Sequence, residues 1–367
     1  MLTQFEYMRF ALGVYAASDS NSIDPTTATG WARTDWQPDR WTGFSSGCYV
    51  NGSAMVISYT GTNGGLDYAN WGIGLGVPLT QIYEAVDYYF ACKAAHPGAT
   101  NITFTGHSLG GGLASLMAVY FNKQATVFDE APFQLAAMNP YVTATVGAYM
   151  VAKGYQDSAF SDYLLSAGLL ALTRESNVTD YYVEGEGLSY PRFSFDTLMG
   201  SDNPIPLNNS TAGPGDRHSM ALLTALQFSD LFHQVAQKIP DLVSMMLDSN
   251  LFAADSIDPK PDLLRTLLRH QLGVAGGVFP IQPDNMLNRF SADMNTLSQA
   301  GINTTYRDLG KALIAFAMEK YYTETAADPN AQQQLFQAVT GGLQFDTGKI
   351  AGNITNAKGY AQYFTNY

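Results

Sequence analysis

Apolar and polar residues alternate over several short segments in the first half of the chain, and these segments are predicted to be strands. The predicted strands cover residues 47–50, 54–60, 102–105, 125–128 and 178–183. Between them, apolar residues recur at helical spacing over residues 3–18, 80–95 and 113–121. Strands and helices in this order predict an α/β fold, with a mostly parallel sheet flanked by helices on both faces.

Turn and capping residues delimit two of these elements. The Asn51-Gly52 pair joins two strands and predicts a β-hairpin. Thr80 is a suitable N-cap for the helix at 80–95, and His96-Pro97-Gly98 ends that helix. The segment between the first helix and the hairpin is predicted to be an aromatic loop with Trp31, Trp36 and Trp41.

The second half of the chain is predicted to be mainly helical. Residues 142–172 predict a helical insertion before the strand at 178–183, and helical spacing returns from residue 219 onward. Later helices are predicted at 231–246, 263–272 and 306–322, with breaks at Pro259, Pro261, Pro280 and Pro283. We therefore expect an α/β domain over residues 1–225 and a C-terminal helical extension over residues 226–367 that packs on it.

The candidate chemistry lies where the strand at 102–105 ends. Residues 101–112 read Asn-Ile-Thr-Phe-Thr-Gly-His-Ser-Leu-Gly-Gly-Gly, which predicts a strand, a sharp turn and the start of a helix. In this Gly-x-Ser-x-Gly pattern, side chains at Gly106 and Gly110 would collide with the neighbouring strand and helix. Ser108 at the apex is therefore a candidate nucleophile, which needs a base and oxyanion donors. The alternative is a glycine-rich connection without chemistry.

Residues 54–122 resemble the class 3 lipases of the α/β-hydrolase superfamily, as a bacterial lipase-like member. One block of the resemblance is Thr-Gly-His-Ser-Leu-Gly-Gly at residues 105–111. The other is Tyr-Thr-Gly-Thr at residues 59–62, which is similar to a family segment that ends in Gly-Ser or Gly-Thr. The resemblance implies an α/β-hydrolase fold and an ester hydrolase with a Ser-His-acid triad.

Elimination among the five histidines points to the base. His96 precedes the nucleophile strand, at the opposite edge of the predicted sheet, and His107 is fixed beside Ser108 in the elbow. His233 and His270 fall in the helical region. His218 remains, in a flexible loop before a helix, and its position after the serine agrees with the superfamily order of serine, acid and histidine. A solvated loop histidine is the alternative.

Two carboxylates are candidates for the triad acid. Glu186 follows the strand at 178–183, and its placement resembles that of the family's acid, although the family has Asp there. Asp202, in the string Asp-Asn-Pro-Ile-Pro, also resembles the family's Asp-Pro-Val-Pro. Because ligands bind outside the carboxyl ends of parallel strands, the strand before Glu186 favours Glu186 over Asp202.

The oxyanion hole is expected to use the backbone N–H groups of Leu109 and Thr62, with the Thr62 hydroxyl as a further donor. For Thr62 the alternative is an ordinary strand-end turn. The resemblance implies that residues 63–77 form a lid, in which Asn70-Trp71 is similar to a family pair. Glycines punctuate large apolar residues there, a composition that suits a cover which opens against lipid but equally suits a loop packed in the core.

Composition excludes several classes of protein. The net charge of -13 with only 19 basic residues argues against a nucleic-acid partner. Cys48 and Cys92 are expected to be buried thiols rather than a disulfide. Charged residues interrupt the first apolar stretch, so we expect no N-terminal signal peptide, and hence a cytoplasmic protein or one exported by another route. No apolar run reaches the ~20 residues that span a bilayer.

These residues together predict a carboxylic ester hydrolase acting on lipid acyl esters through Ser108, His218 and Glu186. The chemistry requires no metal or organic cofactor, and the expected partner is a lipid or other acyl ester with transient contact at a lipid interface. A triacylglycerol lipase or esterase is one form of this activity. A phospholipase or lipid-attacking toxin would use the same triad, and a non-catalytic lipid-binding or interaction protein on a hydrolase fold is the alternative from another class.

Overall fold

The computed structural model describes residues 2–17, 30–38, 41–61, 79–166, 168–189, 200–248, 262–272 and 286–299. The chain divides into two compact units, Met1–Ile205 and Pro206–Tyr367. The predicted helix at 306–322, the predicted lid at 63–77 and the four predicted proline breaks lie outside the described residues. The predicted domain boundary between residues 225 and 226 stays a prediction.

The described part of the first unit is built on a seven-stranded sheet whose spatial order follows the chain. The two outer pairings at its start, β1 with β2 and β2 with β3, are antiparallel, and every later pairing is parallel. The strands are β1 (Ala32–Gln37), β2 (Ser46–Asn51), β3 (Ala54–Tyr59), β4 (Asn101–His107), β5 (Gln124–Phe128), β6 (Val178–Val183) and β7 (Ser201–Ile205). The mostly parallel sheet confirms the predicted fold class, and it is consistent with an α/β-hydrolase-like fold.

Helices lie on both faces of this sheet. They are α1 (Gln4–Gly13), α2 (Leu79–Ala95), α3 (Leu109–Phe121), α4 (Gln134–Met138), α5 (Pro140–Lys153), α6 (Ser158–Leu165) and α7 (Ala171–Arg174). Successive residues of a strand point to opposite faces, and β3 shows the result. The Ser58 hydroxyl donates to the Phe10 carbonyl of α1, whereas the Tyr59 hydroxyl donates to the Ala85 carbonyl of α2.

Helix α3, which follows Ser108, is buried along its whole length. A helix that is apolar on every side has no solvent face, and the sheet, α2 and the insertion helices α4, α6 and α7 surround it. At its C-terminal end, the buried Arg174 guanidinium donates to the carbonyl oxygens of Val119, Tyr120 and Ala159. The Val119 and Tyr120 carbonyls lie in the last turn of α3, where they have no partner within the helix, and Arg174 satisfies both.

The described part of the second unit is helical, as predicted for the C-terminal extension. Its helices are α8 (Pro214–Arg217), α9 (Met220–Phe228), α10 (Asp230–Lys238), α11 (Leu242–Leu247), α12 (Leu263–Leu272) and α13 (Met286–Gln299). The predicted helix at 231–246 is two helices, because Pro240 interrupts it between α10 and α11. Ser229 caps α10 and also bonds to Asn288 of α13.

Three local predictions differ from the structure in detail. The segment predicted as an aromatic loop contains the edge strand β1, whose mainly polar residues are exposed or half-buried and carry no apolar alternation. Thr80 is the second residue of α2 rather than its N-cap. The hairpin is confirmed, but Asn51 pairs with Ala54, so the two turn residues are Gly52 and Ser53.

Candidate active site

Ser108 occupies the sharp turn between β4 and α3. Its backbone has φ 58° and ψ -128°, a conformation that L-residues other than glycine rarely adopt. Three hydrogen bonds hold it there: the Ser108 N–H donates to the Phe128 carbonyl at 3.0 Å, and the Ser108 carbonyl accepts from the N–H groups of Gly112 and Ala131. The turn is thus fixed by β5 and by the segment that follows it.

The glycines of the elbow are required by close backbone approach. A Cβ on Gly106 would lie 2.3 Å from the Gly110 carbonyl oxygen, and a Cβ on Gly110 would lie 2.2 Å from the Tyr59 carbonyl oxygen. Real Cβ atoms do not approach backbone this closely. The predicted collisions are therefore confirmed: the first glycine makes room for the helix, and the second lets the helix lie against β3.

His107 directly precedes Ser108, and its ring is held by two neighbours. Its Nδ1 lies 2.9 Å from the Tyr15 hydroxyl, and its Nε2 lies 3.6 Å from Asp129 Oδ2. The imidazole is 8% exposed and the Asp129 carboxylate is fully buried. The other Asp129 oxygen, Oδ1, accepts from the Val183 N–H at 3.0 Å. This network connects the carboxyl ends of β4, β5 and β6, and it agrees with the expectation that the His107 ring is fixed.

The chain that leaves β3 passes beside Ser108 at Gly61. A Cβ on Gly61 would lie 2.9 Å from the Ser108 Cβ and 2.9 Å from the His107 carbonyl oxygen. Thr62 itself lies outside the described residues. Leu109, the other predicted oxyanion residue, is the first residue of α3, where N–H groups have no acceptor within the helix. The oxyanion roles of Thr62 and Leu109 stay predictions.

The two predicted acids occupy different ends of the sheet. Glu186 lies in the turn that follows the carboxyl end of β6 and is 3% exposed. Its carboxylate accepts from the Leu188 N–H at 2.6 Å and from the Ser189 hydroxyl at 3.3 Å. Asp202 is the second residue of β7, near the amino end of that strand, and is exposed. The strand-end rule therefore continues to favour Glu186, whose catalytic role stays a prediction.

Asp129 is a third carboxylate that the sequence reasoning did not consider. It follows β5, the strand next to the nucleophile strand, and has a positive φ of 44°. The signal was present in the sequence, because an acidic residue directly after a buried strand satisfies the same rule that selected Glu186.

The histidines fall into distinct settings. His96 follows α2 and precedes β4, whose seven residues separate it from Ser108 by roughly 20 Å of extended chain. His233 Nε2 lies 2.6 Å from the Pro206 carbonyl oxygen, and His270 lies in α12. His218 belongs to the second unit, half-buried between α8 and α9. The segment before it is one helical turn rather than the predicted loop, and its role as base stays a prediction.

Two comparisons with known proteins bear on this site. Residues 13–193 match a family model described as phospholipase-like, with a Tle-like phospholipase domain. The chain is also 28% identical over 205 residues to an extracellular phospholipase A1 of Serratia liquefaciens, a match that covers 55% of this chain. The chain spans 59% of the length of that relative.

Both findings support a similarity to lipases and phospholipases. Neither confirms the more specific resemblance to class 3 lipases. Within the described residues, every helix is too short or too polar to cross a lipid bilayer.

Proposed function

We propose that this protein is a serine ester hydrolase that cleaves acyl esters of phospholipids through an acyl-enzyme. The observation that carries the proposal is the strained turn at Ser108, held between β4 and α3 by hydrogen bonds from β5 and the residues after it. Such a turn costs ~1–3 kcal/mol and is found where a side chain must be presented for function. The similarity to phospholipases supports phospholipid over triacylglycerol as the substrate.

In the proposed reaction, Ser108 Oγ attacks the ester carbonyl carbon while the His218 imidazole takes the hydroxyl proton. The oxyanion that forms accepts hydrogen bonds from the N–H groups of Leu109 and Thr62. The C–O bond to the alcohol then breaks, and the imidazolium gives its proton to the departing oxygen. Water attacks the acyl-enzyme by the same steps and releases the fatty acid.

Glu186 is the proposed acid, which fixes the tautomer and orientation of the His218 ring. Its support is its burial in the turn after β6, together with the two donors that hold its carboxylate. The exposure of Asp202 and its place at the start of β7 count against the alternative.

The test compares hydrolysis of phospholipid vesicles, triacylglycerol emulsions and soluble p-nitrophenyl esters. Ser108→Ala should reduce turnover by about 10³-fold or more while the protein remains folded, because the nucleophile is lost. Ser161→Ala, a change at an exposed serine of α6, is the matched control and should retain full activity. Fatty-acid release from the emulsion but not from vesicles would identify a triacylglycerol lipase, and no turnover of any ester would identify a non-catalytic protein.

The acid is tested with neutral, nearly isosteric replacements. Glu186→Gln should lower kcat by about 10²-fold to 10⁴-fold, as the loss of a triad acid does, while Asp202→Asn should not. Asp129→Asn belongs in the same series because Asp129 also follows a strand next to the site. A larger loss in Asp202→Asn or Asp129→Asn than in Glu186→Gln would move the assignment to that residue.

A further inference from the structure

Tyr15 lies close to the elbow although it is far from it in the chain. It belongs to a 3-10 helix over Val14–Ala17 that follows α1, and its ring meets the His107 ring edge to face at 5.9 Å. Its hydroxyl oxygen accepts from the Gly61 N–H at 2.8 Å and lies 2.9 Å from His107 Nδ1. The single hydroxyl hydrogen can therefore point to Nδ1, or to the His107 carbonyl oxygen at 3.4 Å.

These contacts place one hydroxyl between the two chain segments that flank the nucleophile. Gly61 is the last residue before Thr62, and His107 is the residue before Ser108. A Cβ on Gly61 would lie 2.3 Å from the Tyr15 hydroxyl oxygen and 2.9 Å from the Ser108 Cβ, so the Gly61 backbone is confined between the two side chains. Its N–H is directed at Tyr15 and not toward a substrate.

The direction of the Gly61 N–H bears on which groups can form the oxyanion hole. An N–H that donates to Tyr15 does not at the same time stabilise an oxyanion, so the Gly61 N–H is not itself an oxyanion donor. Catalysis by such donors depends on their being held in place before the charge develops. A side chain that fixes the Gly61 peptide beside Ser108 therefore affects the energy of the transition state without touching the substrate.

We propose that Tyr15 is a positioning residue for acyl transfer at Ser108. Its hydroxyl fixes the Gly61 peptide against the His107 ring, beside the Ser108 turn, and Thr62, the proposed oxyanion donor, is the next residue in the chain. The inference rests on the proposed function, and it adds to the triad a residue from the N-terminal part of the chain.

The experiment compares Tyr15→Phe with the wild type on a soluble p-nitrophenyl ester, with kcat and KM measured separately. Loss of one oxyanion donor costs about 10²-fold to 10³-fold, and a displaced donor should cost less, so we expect a fall in kcat of about 10-fold to 100-fold. KM should remain within about two-fold, because ground-state binding does not use these donors. The rate at which a p-nitrophenyl phosphonate labels Ser108 should fall with kcat, since the phosphonate also forms a charged tetrahedral centre.

Tyr163→Phe is the matched control, because the buried Tyr163 hydroxyl donates to the Ala137 carbonyl at 2.7 Å within the helical insertion. Each variant loses one tyrosine hydroxyl group, so a general effect of removing a buried hydroxyl on stability would appear in both. Unchanged kcat in Tyr15→Phe, or equal losses in the two variants, would overturn the inference while wild-type turnover upheld the proposed function. Absence of wild-type turnover and of Ser108 labelling would overturn the proposed function and this inference with it.

Discussion

The strained backbone of Ser108 predicts that glycine, relative to alanine, is a better replacement there than at an unstrained helical position. With φ 58° and ψ -128°, the turn is comfortable only for a residue without a Cβ. Ser108→Ala keeps the Cβ and therefore keeps the strain, ~1–3 kcal/mol, whereas Ser108→Gly relieves it. Both variants lose the hydroxyl, so their difference in free energy of unfolding does not depend on catalysis.

Two other contributions to the free energy of unfolding favour alanine over glycine, and they must be separated from the strain. Glycine has the larger conformational entropy in the unfolded chain, ~0.5–1 kcal/mol, and alanine buries a methyl group worth ~0.8 kcal/mol. The same two substitutions at Ser115 measure these contributions without strain, because Ser115 is fully buried in the regular interior of α3. There we expect Ser115→Ala to be more stable than Ser115→Gly by about 1–2 kcal/mol. The difference between the two sites then isolates the strain, about 1–3 kcal/mol in favour of glycine at Ser108.

Urea denaturation followed by tryptophan fluorescence measures these free energies. All four tryptophans of the chain, Trp31, Trp36, Trp41 and Trp71, fall within the first compact unit, so the signal reports the unit that holds Ser108. Additivity between independent sites holds within ~0.5 kcal/mol. A double difference smaller than that value would refute the reasoning, since it would mean that the Ser108 turn stores no strain.

Three further predictions concern the stability of the first unit and the burial of its thiols. Gly110→Ala should destabilise the first unit by about 3 kcal/mol, since its Cβ would meet backbone, whereas Gly98→Ala, with open space around it, should leave the urea midpoint unchanged. Arg174→Met should cost about 2–4 kcal/mol because it leaves the Val119 and Tyr120 carbonyls at the end of α3 unsatisfied, and a midpoint equal to that of the wild type would show that these bonds contribute nothing. The hydrogen bond between Cys48 and Cys92, together with burial, raises the pKa of the Cys92 thiol, whereas the same hydrogen bond lowers the pKa of the Cys48 thiol. Because both thiols are buried, a thiol reagent at pH 8 should modify either of them only after unfolding. Rapid modification of the folded protein would contradict their burial.

Local patterns were sufficient where neighbours in the chain decide the structure. The strand at 178–183 and the strand–turn–helix at Ser108 were predicted because apolar alternation, helical spacing and glycine each act over a few residues. Edge strands were not predicted by these patterns. β7 has the sequence Ser-Asp-Asn-Pro-Ile, and within the described residues it pairs on one side only, with β6, so that its proline and polar residues are tolerated.

The surroundings of Ser108 follow from contacts between residues that are distant in the chain. Tyr15 and His107 are 92 positions apart, and Tyr15 and Gly61 are 46 apart, so no window of sequence relates them. The sheet brings them together because the carboxyl ends of β3 and β4 are adjacent, and α1 delivers Tyr15 to that edge. The sequence alone identified the serine and the elbow that presents it, because these depend on local backbone geometry. The position of the Tyr15 hydroxyl beside the Gly61 peptide was decided by the packing of α1 on the sheet, which depends on the whole fold of the unit.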